Sequence, residues 1–147
     1  MGKEYHDQEH WVKIQDIDVG DTFITRSRVV TRSDVECFAT NNGFTLPFFL
    51  SERGAKEAGL ESQLAPGLLT VSLCVGLLIQ SGFIGTVIAS MGVDQLRFTQ
   101  PVYVYDEIRV EAEVTAKKQT SKGNWVCSYK WTVKNQRNES VASGINT

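Results

Sequence analysis

From Ser62 to Val93 the chain carries no charged residue. A run of that length passes the ~20 apolar residues that a bilayer-spanning helix needs. It is interrupted, however, by Pro66, Gln80, five glycines and several Ser and Thr, and it divides at Ser81-Gly82. The first part, about Gly67 to Gln80, predicts a helix apolar on every face. The second, FIGTVIASMGV, predicts a strand. A helix apolar all round belongs in a membrane or in the middle of a protein. With 41% hydrophobic residues overall and nearly balanced charge elsewhere, the chain points to the middle of a protein, with no membrane role.

The flanking patterns supply what would enclose such a helix. Residues 11–25 read as extended, with a turn at Val19-Gly20-Asp21. Ser33-Asp34-Val35-Glu36 has the spacing of a capping box and predicts a helix with Val35, Phe38 and Ala39 on one face. Residues 51–59 predict a second short helix, capped by Ser51 and stopped by Gly59. Beyond the uncharged run the period changes. Apolar and polar residues alternate from Ile108 to Ala116, and Trp125, Cys127, Tyr129, Trp131 and Val133 share one face of a long strand. Turns at residues 121–124 and 135–139 and a last strand at residues 141–144 complete an antiparallel meander. A strongly curved antiparallel sheet can wrap a single apolar helix. The expectation is therefore an α+β chain with the hot-dog arrangement: a polar N-terminal tail over residues 1–10, then one domain over residues 11–147.

Composition narrows the function. Fifteen basic residues against seventeen acidic ones provide no positive field for nucleic acid. The three cysteines, Cys37, Cys74 and Cys127, are far apart and lack zinc-ligand spacing, which fits small hydrophobes in a reducing cytosol. The polar start MGKEYHDQEH lacks an apolar signal core, so the expected location is the cytoplasm.

The motif spacing supports a closer reading. Phe38, Ala39, Gly43 and Pro47, then Ala55, Lys56 and Gly59, then Leu64, Ala65 and Gly67 follow a loop pattern F-A-x-x-x-G-D-x-N-P-x-H, a helix A-K-x-x-G and a helix start I-A-H-G. RFTQPVYVYD, Arg97 to Asp106, follows R-F-x-x-P-V-x-x-G-D. On these residues the chain resembles the MaoC-like hot-dog dehydratases, relatives of the (R)-specific enoyl-CoA hydratases. The resemblance implies acyl-thioester chemistry, with an aspartate and a histidine handling water and protons.

The departures fall on that chemistry. The family's Asp slot holds Phe44, its Asn slot Leu46 and its His slot Phe49, while the histidine before the helix glycine is Pro66. Phenylalanine exchanges no proton. The chain's two histidines, His6 and His10, lie in the polar start, and Glu52 reads as a helix-dipole acid. Asp94 admits a thioesterase reading or a plain strand-end charge, and Cys74 reads as packing. No catalytic residue, metal ligand or cofactor is therefore expected.

What the resemblance retains is binding. The unpaired N–H groups at Gly67 and Leu68 would hold a thioester carbonyl. Phe44, Phe48 and Phe49 would either line an acyl tunnel or fill the vacated cavity. The expected ligand is an acyl-CoA or acyl carrier protein thioester. The expected assembly is a homodimer, or a heterodimer in which a catalytic MaoC-like chain supplies the missing pair. The alternative is an active enoyl-CoA hydratase or 3-hydroxyacyl dehydratase using other groups.

Overall fold

The computed structural model describes residues 2–8, 10–85 and 87–147. The first elements in chain order are β1 (Glu4–Tyr5), β2 (Thr22–Ile24), β3 (Arg28–Val29), α1 (Arg32–Asn42), α2 (Pro47–Leu50) and α3 (Glu52–Glu57). Then come α4 (Gly67–Gln80), β4 (Val93–Phe98), β5 (Glu107–Gln119), β6 (Trp125–Lys134) and β7 (Ser140–Asn146). The sheet runs β1-β2-β5-β6-β7-β4, with β3 added to β5; among the described residues only the β1–β2 pair is parallel.

Helix α4 has the predicted extent and lies against the sheet. Leu69, Cys74, Leu77 and Leu78 are buried with Ile108, Val110 and Val114 of β5, Trp131 and Val133 of β6, and Val141 of β7. The alternation in β5 explains which face does this. Its apolar residues turn inward, while Glu111 and Glu113 face outward and pair with Lys134 and Lys130, each at 3.2 Å. One sheet covers only one side of a helix, so Leu68 and Ile79 remain 50% and 42% exposed on the outer stripe of α4.

The sheet's inner face holds one polar cluster. Trp131 Nε1 donates to Asn146 Oδ1 at 2.9 Å, and Asn146 Nδ2 donates to the Tyr129 hydroxyl at 3.1 Å. Gly144, paired with Trp131, has no Cβ because the indole occupies that space, 2.7 Å from where the atom would sit.

Several expectations are corrected. The strand predicted over FIGTVIASMGV does not form among the described residues; a turn follows α4, and regular pairing begins only at Val93. Its apolar content reflects other placements. Phe83 stacks on Phe23 in the core at 3.8 Å, whereas Ile88 is 96% exposed. The capping box of α1 is built by Thr31 and Asp34, not by Ser33 and Glu36. Arg28 reaches Asp34 at 2.6 Å and favours that earlier box, while Glu36 pairs with Arg32 at 3.1 Å. Partial burial opposes Asp34 ionisation, but hydrogen bonds from Thr31 and the Arg28 charge outweigh it and lower the pKa. Residues 11–25 contain a 3-10 turn at Ile14–Asp16 before the short β2. Residues 47–50 form the helical turn α2, started by Pro47 at a position where its missing N–H costs nothing. Within the polar N-terminal segment, Tyr5 stacks on Phe23 at 4.7 Å as β1 joins β2.

Two predictions follow from strain and burial. Tyr105 occupies the glycine slot of R-F-x-x-P-V-x-x-G-D and adopts φ 74°, 69% exposed. A left-handed conformation costs an L-residue ~1–2 kcal/mol, against ~0.5–1 kcal/mol of extra chain entropy for glycine. Tyr105→Gly is therefore expected to raise unfolding free energy by ~0.5–1 kcal/mol in urea titrations; a loss of stability would remove the strain argument. The second concerns Tyr129, whose phenol is pushed up to about 12 by burial, partly offset by the Asn146 hydrogen bond. Unfolded tyrosine ionises near ~10. The stabilisation is thus complete below pH ~10 and is lost as pH rises towards 12. Tyr129→Phe should flatten that alkaline decline in paired denaturant titrations.

Candidate functional site

A groove of about 410 Å³ opens at the N-terminal end of α4. Phe44 borders it from the loop after α1, Gly67, Leu68 and Thr70 from the first turn of α4, and Phe98 from the end of β4. The approach to the helix is held on both sides. Ala65 N donates to the Val102 carbonyl at 2.8 Å, and Val104 N donates to the Gln63 carbonyl at 3.0 Å. On the other side, Leu64 N donates to the Phe48 carbonyl and Gln63 Nε2 to the Phe49 carbonyl, both at 2.9 Å. Helix α3 packs against α2 at Gly54, where a Cβ would lie 2.3 Å from the Pro47 carbonyl oxygen.

Pro66 caps α4 in an extended conformation, φ −56° and ψ 138°. Leu69 N and Thr70 N donate back to its carbonyl at 3.0 and 3.3 Å. The N–H groups of Gly67 and Leu68 precede the intrahelical ladder, so neither has a helical acceptor. The tip of the Phe98 ring rests on Gly67, 2.9 Å from where a Cβ would sit. Glycine is what allows an aromatic wall to stand against the start of the helix.

Of the residues singled out in the sequence, Phe44, Gly67 and Leu68 meet at the groove. Phe48 and Phe49 do not border it. They continue an aromatic cluster behind Phe44, with ring centroids 6.1 Å apart for Phe44–Phe49 and 4.6 Å for Phe48–Phe49. All three phenylalanines are half-buried. Thr70 and Phe98 were missed. A hydroxyl three residues beyond the helix glycine marks Thr70, since that spacing returns to the same helix face. Phe98 lies in the quoted R-F strand, but its approach to Gly67 depends on how β4 meets the helix.

No ionisable side chain borders the groove among the described residues. The N-terminal segment docks at the other end of α4: Gln8 N donates to the Ser81 carbonyl at 3.1 Å, and the His10 carbonyl faces Gly82. A helix of this length spans ~20 Å, which separates that end from Gly67. His6 is exposed and pairs with Glu4 at 2.8 Å. Asp94 is exposed near the opposite end of β4 from Phe98, and Glu52 occupies the first turn of α3, outside the groove wall. Burial pushes the Cys74 thiol far up, so it stays protonated within the core. Among the described residues no cluster of His, Cys, Asp or Glu suits a metal ion, and no helix is long and apolar enough to cross a membrane.

Comparison with known proteins agrees with the geometry. The family model for the MaoC-like domain matches residues 15–135. Protein MaoC of Klebsiella aerogenes is 31% identical over 74% of this chain; the match covers 31% of that protein, so the chain spans about a third of its length. The mitochondrial 3-hydroxyacyl-[acyl-carrier-protein] dehydratase of Arabidopsis thaliana is 29% identical, over 84% of this chain and 70% of the relative. The (R)-hydratase of A. caviae involved in PHA biosynthesis superposes with a TM-score of 0.75 at 26% identity, covering 90% of this chain and 96% of that one. The HadBC complex of Mycobacterium tuberculosis, a 3R-hydroxyacyl-ACP dehydratase, shares the fold at a TM-score of 0.71 and 18% identity, covering 88% and 95%. The chain belongs to the MaoC-like domain family, hot-dog proteins of acyl-thioester metabolism.

Proposed function

We propose that this chain binds an acyl-CoA or acyl carrier protein thioester at the Gly67 groove without hydrating it by itself. The observation that carries this reading is the wall of the groove. Gly67 and Leu68, whose peptide N–H groups have no helical acceptor, border a cavity shared with Phe44 and Phe98, with no ionisable side chain among its described lining residues. Hydrogen-bond donors of this kind hold a carbonyl oxygen. Adding water to an enoyl thioester also needs a group that exchanges protons, and none stands at the groove.

The chain acts in the cytoplasm as one of two hot-dog subunits, either a homodimer or the non-catalytic half of a dehydratase. Strand β4 is a sheet edge, and Val93, Phe98 and Leu68 on and beside it are 41%, 50% and 50% exposed. An apolar edge is ordinarily paired or protected. A catalytic MaoC-like partner seated there would bring its own acid–base groups into the same assembly.

Purified alone, the protein is expected to bind acyl-CoA in calorimetry and to show no turnover of 2-enoyl-CoA substrates of any chain length. Turnover by the isolated chain would overturn the non-catalytic reading. The helix-start contact is tested by comparing Gly67→Pro with Gly67→Ala. Each places a Cβ against Phe98, but only proline removes the N–H, and Pro66 already has the extended backbone that a following proline requires. Gly67→Pro should bind about tenfold more weakly than Gly67→Ala, the loss of one hydrogen bond of ~1–1.5 kcal/mol. Equal affinities would remove the carbonyl contact.

A further inference from the structure

Strand β4 ends the sheet on one side, and its outward edge pairs with no strand among the described residues. The opposite side ends in β1, which is two residues long, so β4 is the one edge with the length to receive another strand. It carries two exposed charges of opposite sign, Asp94 and Arg97. The Arg97 guanidinium donates to the carbonyl of Leu96 at 2.8 Å. Neither charge forms an ion pair among the described residues, whereas Glu111 and Glu113 on the same outer face are matched by Lys134 and Lys130.

A bulge sorts these residues between the two faces. Val93 and Asp94 lie opposite Asn146 and Ile145 of β7, whereas Arg97 and Phe98 lie opposite Ser143 and Ala142. Between the two pairs β4 has one residue more than β7, and there Gln95 takes φ 52°. In a regular strand Val93 and Phe98, five residues apart, would point to opposite faces. With the bulge, both stand beside buried partners, Asn146 and Ala142, on the inner face. Asp94 and Arg97 then share the outer face. A two-fold axis normal to the sheet leaves every residue on its own face in both copies, so antiparallel partners across the axis must share a face. Setting Val93 opposite Phe98 of a second copy meets that condition, and the same register sets Asp94 opposite Arg97. Each contact occurs twice.

We infer that the occupant of this edge is a second copy of the same chain, held by reciprocal Asp94–Arg97 ion pairs, and that its Val93 joins Phe98 at the wall of the groove. This rests on the two-subunit reading above and selects the homodimer over a pairing with a different chain. The charges fix the register, since a shift along the edge separates Asp94 from Arg97. Phe98 borders the groove, so Val93 of the second copy extends the apolar surface beside it. Met91, 72% exposed and bonded through its N–H to the Thr147 carbonyl at 2.7 Å, leads into Val93 and carries that surface past Phe98.

The test is sedimentation of the full chain and its charge-reversed variants. Wild type alone should sediment as a dimer. Asp94→Arg and Arg97→Asp each set like charges opposite one another at both symmetric contacts, and each should raise the dimer dissociation constant at least about tenfold. Mixing the two variants pairs every charge with its opposite and should restore the dimer, as should Asp94→Arg with Arg97→Asp in one chain. The register is read separately by oxidising Val93→Cys mixed with Phe98→Cys. Residues directly opposite lie ~4.5–5.5 Å apart at Cα, within the span of a disulfide, so the mixture should cross-link beyond either variant alone. A dimer indifferent to both reversals, or a mixture no tighter than its components, would overturn the Asp94–Arg97 pairing and leave the two-subunit reading standing. A wild-type monomer would overturn the second copy and leave the different-chain partner. The acyl-CoA titration is independent of all these outcomes, so failure of the binding reading is seen separately.

Discussion

An uncharged helix has to be covered, and that requirement organises this chain. The inner residues of α4, among them Leu69, Leu77 and Leu78, lie at 5% exposure or less. Burying each such side chain is worth ~1.5–3 kcal/mol. The sheet meets this by presenting every second residue of β5 and β6 to the helix while Glu111, Glu113, Lys130 and Lys134 pair on the other face. Where the inner face must include polar atoms, they satisfy one another, as in the Trp131–Asn146–Tyr129 cluster. The helix and the sheet thus depend on each other, since neither has an acceptable surface alone.

The groove follows from the same packing. Holding α4 against the sheet places its first turn beside the end of β4, and hydrogen bonds to Val102 and from Leu64 to Phe48 clamp the approach. A helix start always carries N–H groups without intrahelical partners. Here the residues that carry those groups, Gly67 and Leu68, border a cavity that Phe44 and Phe98 also wall. In the function proposed above, this site fixes a carbonyl oxygen without moving protons.

The supporting loops show where local preference gives way to tertiary demand. Tyr105 takes a left-handed conformation because its N–H donates to the Val30 carbonyl at 2.7 Å, while Asp106 closes the adjoining turn by accepting the Tyr103 N–H at 2.9 Å. Gly54 lets α3 approach Pro47 more closely than any side chain permits. These contacts set how the segment between α1 and α4 lies, and with it the placement of Phe44.

Much of this was legible in the sequence because it rests on near-neighbour rules. The absence of charge marked α4, strict alternation marked β5, and Ser51 and Gly59 marked the ends of the α3 region. Loop spacing, through its resemblance to a family, marked Gly67 and Phe44 as groove candidates. Periodicity misread FIGTVIASMGV, because an apolar run reads alike whether it becomes a strand, a core anchor such as Phe83 or an exposed segment such as Ile88. It also read Ser33 as a cap, where Arg28, brought from β3, favours the Thr31–Asp34 box. Phe48 and Phe49 could not be separated from Phe44, since three phenylalanines in one loop look equivalent until their neighbours are known. The sequence by itself determined the central helix and the meander, because composition and local period decide those. Only the tertiary structure decided that Phe98 covers Gly67 and that Thr70 borders the groove. Those facts depend on how distant segments approach, which no local pattern encodes.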